Sequence, residues 1–281
     1  MHPEKQPAQA RLALVFRGGG TRWALPAASV LEVGTAPAGP DEKRHGLPVE
    51  DFGALLSQKP SASPQAVTLV LDCAPPRALC VEAVEEVADL TSAAFFGLPA
   101  GLGPAGLIRG VLLHRNRLIL EAEPQALADL KALPTAARGA ALAEGSVQGA
   151  SPPGRALVFE AGELGLLGAP LPVVTGVLRA GEPCAVPGAP WGHRGLMHHE
   201  RSILSLWDPS LLAGLQPTPP DLAVVLDVSG QAVAVLASRV LGVLSGFQGE
   251  PKGAEGGVCW RLADGRSVLF PELERWVFPR A

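Results

Sequence analysis

The tetrapeptide Ala13-Leu14-Val15-Phe16 returns later in the chain as Ala156-Leu157-Val158-Phe159, and Val70-Leu71-Asp72 returns as Val225-Leu226-Asp227. Apolar strands repeated in the same order point to one β unit copied end to end. The 281 residues suffice for two domains, each burying a core without disulfide or metal staples. The offset between copies is 143 residues at the first pair and 155 at the second. The second copy has therefore gained 12 residues between its first and second hairpins.

Within each copy the pattern predicts three hairpins and a closing helix. In the first, Leu12–Phe16 and Trp23–Leu25 flank Arg17-Gly18-Gly19-Gly20-Thr21, where glycine supplies the positive φ of a tight turn. Val67–Leu71 returns as Ala78–Val81, Gly110–Leu113 returns as Leu118–Leu120 through His114-Arg115-Asn116-Arg117, and Pro124–Leu130 forms the helix. The second copy runs Ala156–Phe159 into a Gly162-Glu163 turn, pairs Val224–Leu226 with Val233–Val235 and Val258–Trp260 with Val268–Phe270, and ends in a helix over Pro271–Trp276. The expected organisation is a tail at 1–10, a first domain at 11–131, a linker at 132–154 that is partly helical over Thr135–Ala143, and a second domain at 155–281. Strands that are apolar on both faces and joined by short turns suit small barrels. The expected class is mainly β, with each domain a pair of small barrels sharing a core.

Composition narrows the function. A net charge of −4 with only isolated aromatic-basic spots, Arg22-Trp23 and Trp260-Arg261, gives no stripe to track a phosphate backbone, so nucleic acid is not an expected partner. The N-terminal residues lack a basic segment followed by an apolar run, which argues against a signal peptide. The uncharged run Leu90–Ile108 is broken by four glycines and two prolines and does not suit a membrane helix. Cys73, Cys80, Cys184 and Cys259 fit no C-x-x-C motif and read as packing residues of a cytoplasmic protein.

Leu14-Val15-Phe16, the glycine turn, Trp23-Ala24-Leu25-Pro26 and Val30-Leu31-Glu32-Val33 together resemble the opening of the chemotaxis coupling protein CheW. Leu79–Val87, with Glu82 in the acidic place, and Gly106–Val111 ahead of the third hairpin are similar to later segments of that family. The resemblance implies two tandem CheW-like domains, each a pair of small SH3-like β-barrels with a short C-terminal helix. It implies a non-enzymatic adaptor without cofactor or metal, coupling the cytoplasmic tips of chemoreceptors (methyl-accepting proteins) to the regulatory domain of a CheA-type histidine kinase. Other CheW-like proteins are further partners, and the place is the cytoplasm at membrane-associated arrays, without membrane insertion.

The chain departs from the family in complementary places. The family's glycine-x-x-asparagine-leucine-arginine-glycine segment is reduced to Asp41–Val49 in the first copy, while Gly195–Asp208 occupies it in the second, with Glu200-Arg201 where arginine-glycine is expected. Conversely, Val30-x-Glu32-Val33 faces Val173-Val174-Thr175-Gly176, and the glutamate is gone. The partner-binding residues implied are Val30, Glu32 and Val33 in the first copy and Glu200 and Arg201 in the second. Helical spacing alone would make Val30–Val33 a short packed turn.

Two competing readings remain open: a binding module of another signalling or motility pathway that has lost the array partners, and a metal-dependent enzyme using the His193–Arg201 segment. For the latter, His193, His198, His199, Glu200 and Cys184 carry ligand-type side chains, but His198 and His199 on one strand would face opposite ways. Gly18-Gly19-Gly20 lacks the lysine-serine/threonine ending of a phosphate loop, and no glycine-x-serine-x-glycine elbow is present. The five tryptophans divide between core filling and partner anchoring, with most expected in the core.

Overall fold

The computed structural model describes residues 11–36, 39, 43–56, 63–99, 101–134, 151–219, 221–254 and 256–277. The expected tail at 1–10 and the Thr135–Ala143 helix lie outside these residues. The chain divides into two compact units, the first reaching Thr135 and also including Cys184–Ala189, the second comprising the remainder.

Unit 1 opens with β1 (Leu12–Gly18) and β2 (Thr21–Pro26), joined by Gly19 and Gly20 at φ 61° and 75°. Two consecutive positive φ values make the turn whose twist matches the flanking strands. Gly18 matters for a different reason. A Cβ there would lie 2.4 Å from Cδ1 of Phe52, whose ring packs against Phe16 and Trp23 at centroid distances of 5.6 and 5.2 Å. Trp23 is fully buried, and its indole N–H donates to the Gly18 carbonyl at 3.0 Å, so the ring enters the core without leaving a polar atom unpaired.

The chain continues through β3 (Val30–Thr35), β4 (Lys43–Arg44), β5 (Leu47–Asp51), α1 (Phe52–Leu55), β6 (Val67–Leu71), β7 (Arg77–Val81), β8 (Ala83–Asp89), β9 (Ala94–Phe96), β10 (Ile108–His114), β11 (Arg117–Ala122) and α2 (Pro124–Ala128). These strands form a six-stranded sheet, β8-β1-β2-β11-β10-β9, and a five-stranded sheet, β3-β6-β7-β5-β4. Both are curled into half-barrels. The run Leu79–Val87, read as one segment from sequence, is two strands in different sheets, with the chain changing sheet at Glu82. The Glu82 carboxylate accepts the Gly20 N–H at 2.7 Å and so latches the first turn. Arg77 ties the end of the unit together: it holds the Glu50 carboxylate at 2.5 and 2.9 Å and donates to the carbonyls of Leu127 and Leu130 at 2.6 Å each. A cation on the last carbonyls of α2 also complements its dipole.

Unit 2 repeats this order with β12 (Arg155–Glu160), β13 (Leu166–Pro170), β14 (Val174–Arg179), β15 (His193–His199), β16 (Ser202–Trp207), α3 (Pro209–Leu212), β17 (Leu222–Val228), β18 (Gln231–Ala237), β19 (Arg239–Ser245), β20 (Gln248–Ala254), β21 (Gly257–Arg261), β22 (Ser267–Pro271) and α4 (Leu273–Val277). Its sheets run β19-β12-β13-β22-β21-β20 and β14-β17-β18-β16-β15, strand for strand the order of unit 1. The duplication read from two short motifs is thus a duplication of topology. The core between the two sheets of unit 2 gathers Phe159, Leu167, Trp207, Leu226, Val235 and Trp276.

Two readings are sharpened. The reduced segment Asp41–Val49 is not a gap in the topology: β4 and β5 stand where unit 2 has β15 and β16, with β4 covering only Lys43–Arg44 among the described residues. Val30–Val33 is also not a helical turn but the start of β3, preceded by a 3-10 turn at Ala27–Ser29. Two β-branched residues in a run of four favour a strand over the suggested turn.

Candidate functional site

Ladder registers align the two units residue by residue. Val30, Glu32 and Val33 pair with Leu71, Val70 and Leu69, while Val174, Gly176 and Val177 pair with Leu226, Val225 and Val224, and each strand carries its bulge at the same step. The counterpart of Glu32 is therefore Gly176, not Thr175. The alignment slips by one residue because unit 2 replaces the two-residue turn of unit 1 with the longer loop Ala161–Gly165. Val30 and Val33 both have valine counterparts, and only the glutamate is replaced.

On β3 the side chains alternate. Val30 and Glu32 are half-buried, while Leu31 and Val33 are 62% and 48% exposed. The three sequence-chosen residues thus divide between two faces, and Leu31, which the sequence reading passed over, joins Val33 in solvent. A strand assignment would have found it, since period-2 alternation puts residues 31 and 33 on one side. Val177 in unit 2 is exposed to a similar degree, 45%.

Glu32 lies 2.5 Å from Nε2 of His45 in the β4–β5 turn, and Arg44 donates to the Thr35 hydroxyl at 2.8 Å. Strands β3 and β4 are the two edges of the five-stranded sheet, so these contacts bridge the seam of the half-barrel. In unit 2 apolar packing spans the corresponding interval, with Met197 of β15 and Leu178 of β14 in one cluster.

Glu200 and Arg201 form the β15–β16 turn, Glu200 at φ 54° with its side chain 81% exposed and 3.8 Å from Nε2 of His199. Arg201 is exposed and makes no ion pair among the described residues. The unit 1 counterpart of this turn is His45-Gly46. Neither turn carries arginine-glycine.

The candidate metal ligands do not converge. Six residues of extended strand, roughly 20 Å, separate His193 from His199, and among the described residues no group of three His, Cys, Asp or Glu side chains is placed to hold a metal. Both ring nitrogens of His193 are closed off from solvent without hydrogen-bond partners, and the ring meets Trp207 edge-on at 5.2 Å. Burial pushes its pKa down to about 4, which keeps it neutral. The four cysteines are free thiols, and burial raises each of them, Cys184 to about 12. Such thiols pack rather than react. Trp23, Trp207, Trp260 and Trp276 are buried, and Trp191 donates to the Leu211 carbonyl at 2.5 Å.

Sequence reasoning missed Asp208, which is fully buried at the start of α3. Its carboxylate takes Arg194 at 3.0 Å, the Ser210 and Thr218 N–H groups at 3.1 and 3.0 Å, and the Thr218 hydroxyl at 2.9 Å. The Ser210 hydroxyl continues the network to the Ala161 carbonyl at 2.8 Å. Asp-Pro-Ser at a helix start was the available signal. In unit 1, Asp51 caps α1 through Ala54 N–H at 2.7 Å.

Residues 155–276 match the family model described as the CheW-like domain. A comparison with curated protein sequences gives no match. Among solved structures, the chain is similar to the scaffolding protein TtCheW from Thermoanaerobacter tengcongensis, at 17% identity and a TM-score of 0.34, over 42% of this chain and 92% of that one. Residues 155–276 are thus similar to the CheW-like domain, and unit 1 has the same strand order as unit 2.

Proposed function

We propose that this protein is a non-enzymatic scaffold of a bacterial chemosensory pathway, acting in the cytoplasm to couple chemoreceptor tips to the regulatory domain of a CheA-type histidine kinase. The observation that carries the reading is the CheW-like match of unit 2 together with the identical strand order of unit 1. Both units present an exposed valine at the same position, Val33 and Val177, beside a half-buried valine, Val30 and Val174. We assign Val30, Glu32 and Val33 to partner contact in unit 1 and Glu200 and Arg201 in unit 2. The boundaries 11–131 and 155–281 delimit the two binding modules, and tethering them raises the effective concentration at adjacent partner sites. Among the described residues no helix is long and apolar enough to cross a membrane.

The test is binding of the full chain to a purified CheA regulatory domain. Val33→Asp, a change at an exposed position, is expected to weaken binding at least tenfold. Failure of the unmodified chain to bind contradicts the scaffold reading; binding that Val33→Asp leaves unchanged contradicts the assigned surface. A second reading, a module of another signalling or motility pathway, draws on the absence of arginine-glycine from both middle turns. It predicts no kinase binding by either unit.

A further inference from the structure

The six-stranded sheets of the two units carry opposite linings at one end. In unit 2 the space is filled by an apolar cluster that includes Val158, Leu166, Leu241, Trp260 and Leu262. The registers place charged groups at the same positions in unit 1. Arg22 and Leu166 are equivalent across the first hairpin, opposite Arg17 and Glu160. Glu85 and Leu241 are the residues skipped at the bulge, and Glu86 and Gly242 face Val15 and Val158. His114 and Leu262 close the last hairpin opposite Arg117 and Arg266.

In unit 1 these replacements leave a cleft of about 230 Å³ with Val15 and Ile119 among its lining residues. Two ion pairs are internal to it: Arg22 holds Glu85 at 2.9 Å, and Arg115 holds Glu86 at 2.9 Å. The remaining lining is cationic or donor-capable. Arg117 makes no ion pair among the described residues; Nε2 of His114 has no solvent-accessible surface and no hydrogen-bond partner, and lies 4.0 Å from Glu86. Unit 2 keeps three leucines where unit 1 has charged or titratable groups. Unit 1 forgoes that packing to hold an open, polar cleft.

We propose that this cleft is a binding site for a small carboxylate, taken by the Arg117 guanidinium, with the His114 ring in the cleft wall as its neighbour. Glu85 and Glu86 act as positioning residues, fixing Arg22 and Arg115 at the rim. The volume is below that of pockets for drug-sized ligands and suits a molecule of the size of acetate or succinate. The site belongs to unit 1 alone and does not depend on the scaffold reading.

The experiment follows imidazole ¹⁵N resonances of the full chain during titration with sodium succinate, with sodium chloride and sodium phosphate at matched ionic strength as parallel arms. The His114 signal is identified by its loss in His114→Leu, the residue unit 2 uses. Expected is a saturable shift with succinate, no saturable shift with chloride, and at least tenfold weaker saturation in Arg117→Ala, a change at an exposed position. A linear response, an equal response to chloride, or unchanged saturation in Arg117→Ala overturns the site. Tighter saturation by phosphate overturns its assignment to carboxylates.

Discussion

At the scale of single residues, polar side chains either close their hydrogen bonds or record a cost. His193 records one. Its pKa lies at about 4 against the usual 6.5, because burial penalises the imidazolium. The folded state therefore binds fewer protons than the unfolded state between these values. Its contribution is fully present above pH 6.5 and is lost as pH falls from 6.5 towards 4, by about 3 kcal/mol in all. His193→Phe, which preserves an aromatic ring against Trp207, is expected to remove most of this acid sensitivity from urea denaturation midpoints measured between pH 4 and 7. An unchanged pH profile would show that His193 is not its source. Nothing in the sequence marked the His193 ring nitrogens as closed off, since the ring is set against Trp207 by cross-strand pairing.

At the scale of elements, local chemistry made some features legible and left others hidden. Hairpin turns declare themselves: Gly19-Gly20 and Arg115-Asn116 have positive φ, and both were legible as turns. Strands without such punctuation were not. The end of β7 at Val81 was legible, but β8 was not read as a strand of its own, because its change of sheet at Glu82 follows from long-range pairing with β1. The equivalence of Glu32 with Gly176 was equally hidden, because the extra residue lies in the Ala161–Gly165 loop and only the ladders count it. The helix starts of α1 and α3 also differ in what they hold. Asp208→Ala would strand the Arg194 charge and two backbone N–H groups, at a cost of about 3–5 kcal/mol. Asp51→Ala removes one cap bond, at about 1 kcal/mol. Urea unfolding of the two variants side by side measures the difference, and equal losses would show that the Asp208 network adds nothing beyond a cap.

At the scale of the whole molecule, the chain uses one topology twice with different seams and linings. Unit 1 bridges its five-stranded sheet with Glu32–His45 and Arg44–Thr35, and keeps a charged cleft in its six-stranded sheet. Unit 2 fills both places with apolar side chains. The shared exposed valines sit on equivalent strands, whereas the charged groups at the seam and in the cleft distinguish the units. The most direct test is sedimentation velocity of the full chain mixed with a CheA-type regulatory domain and a receptor-tip fragment, singly and together. The account predicts a complex with each and a larger species containing all three. Absence of any complex with the kinase domain, or mutually exclusive binding of the two partners, would contradict it.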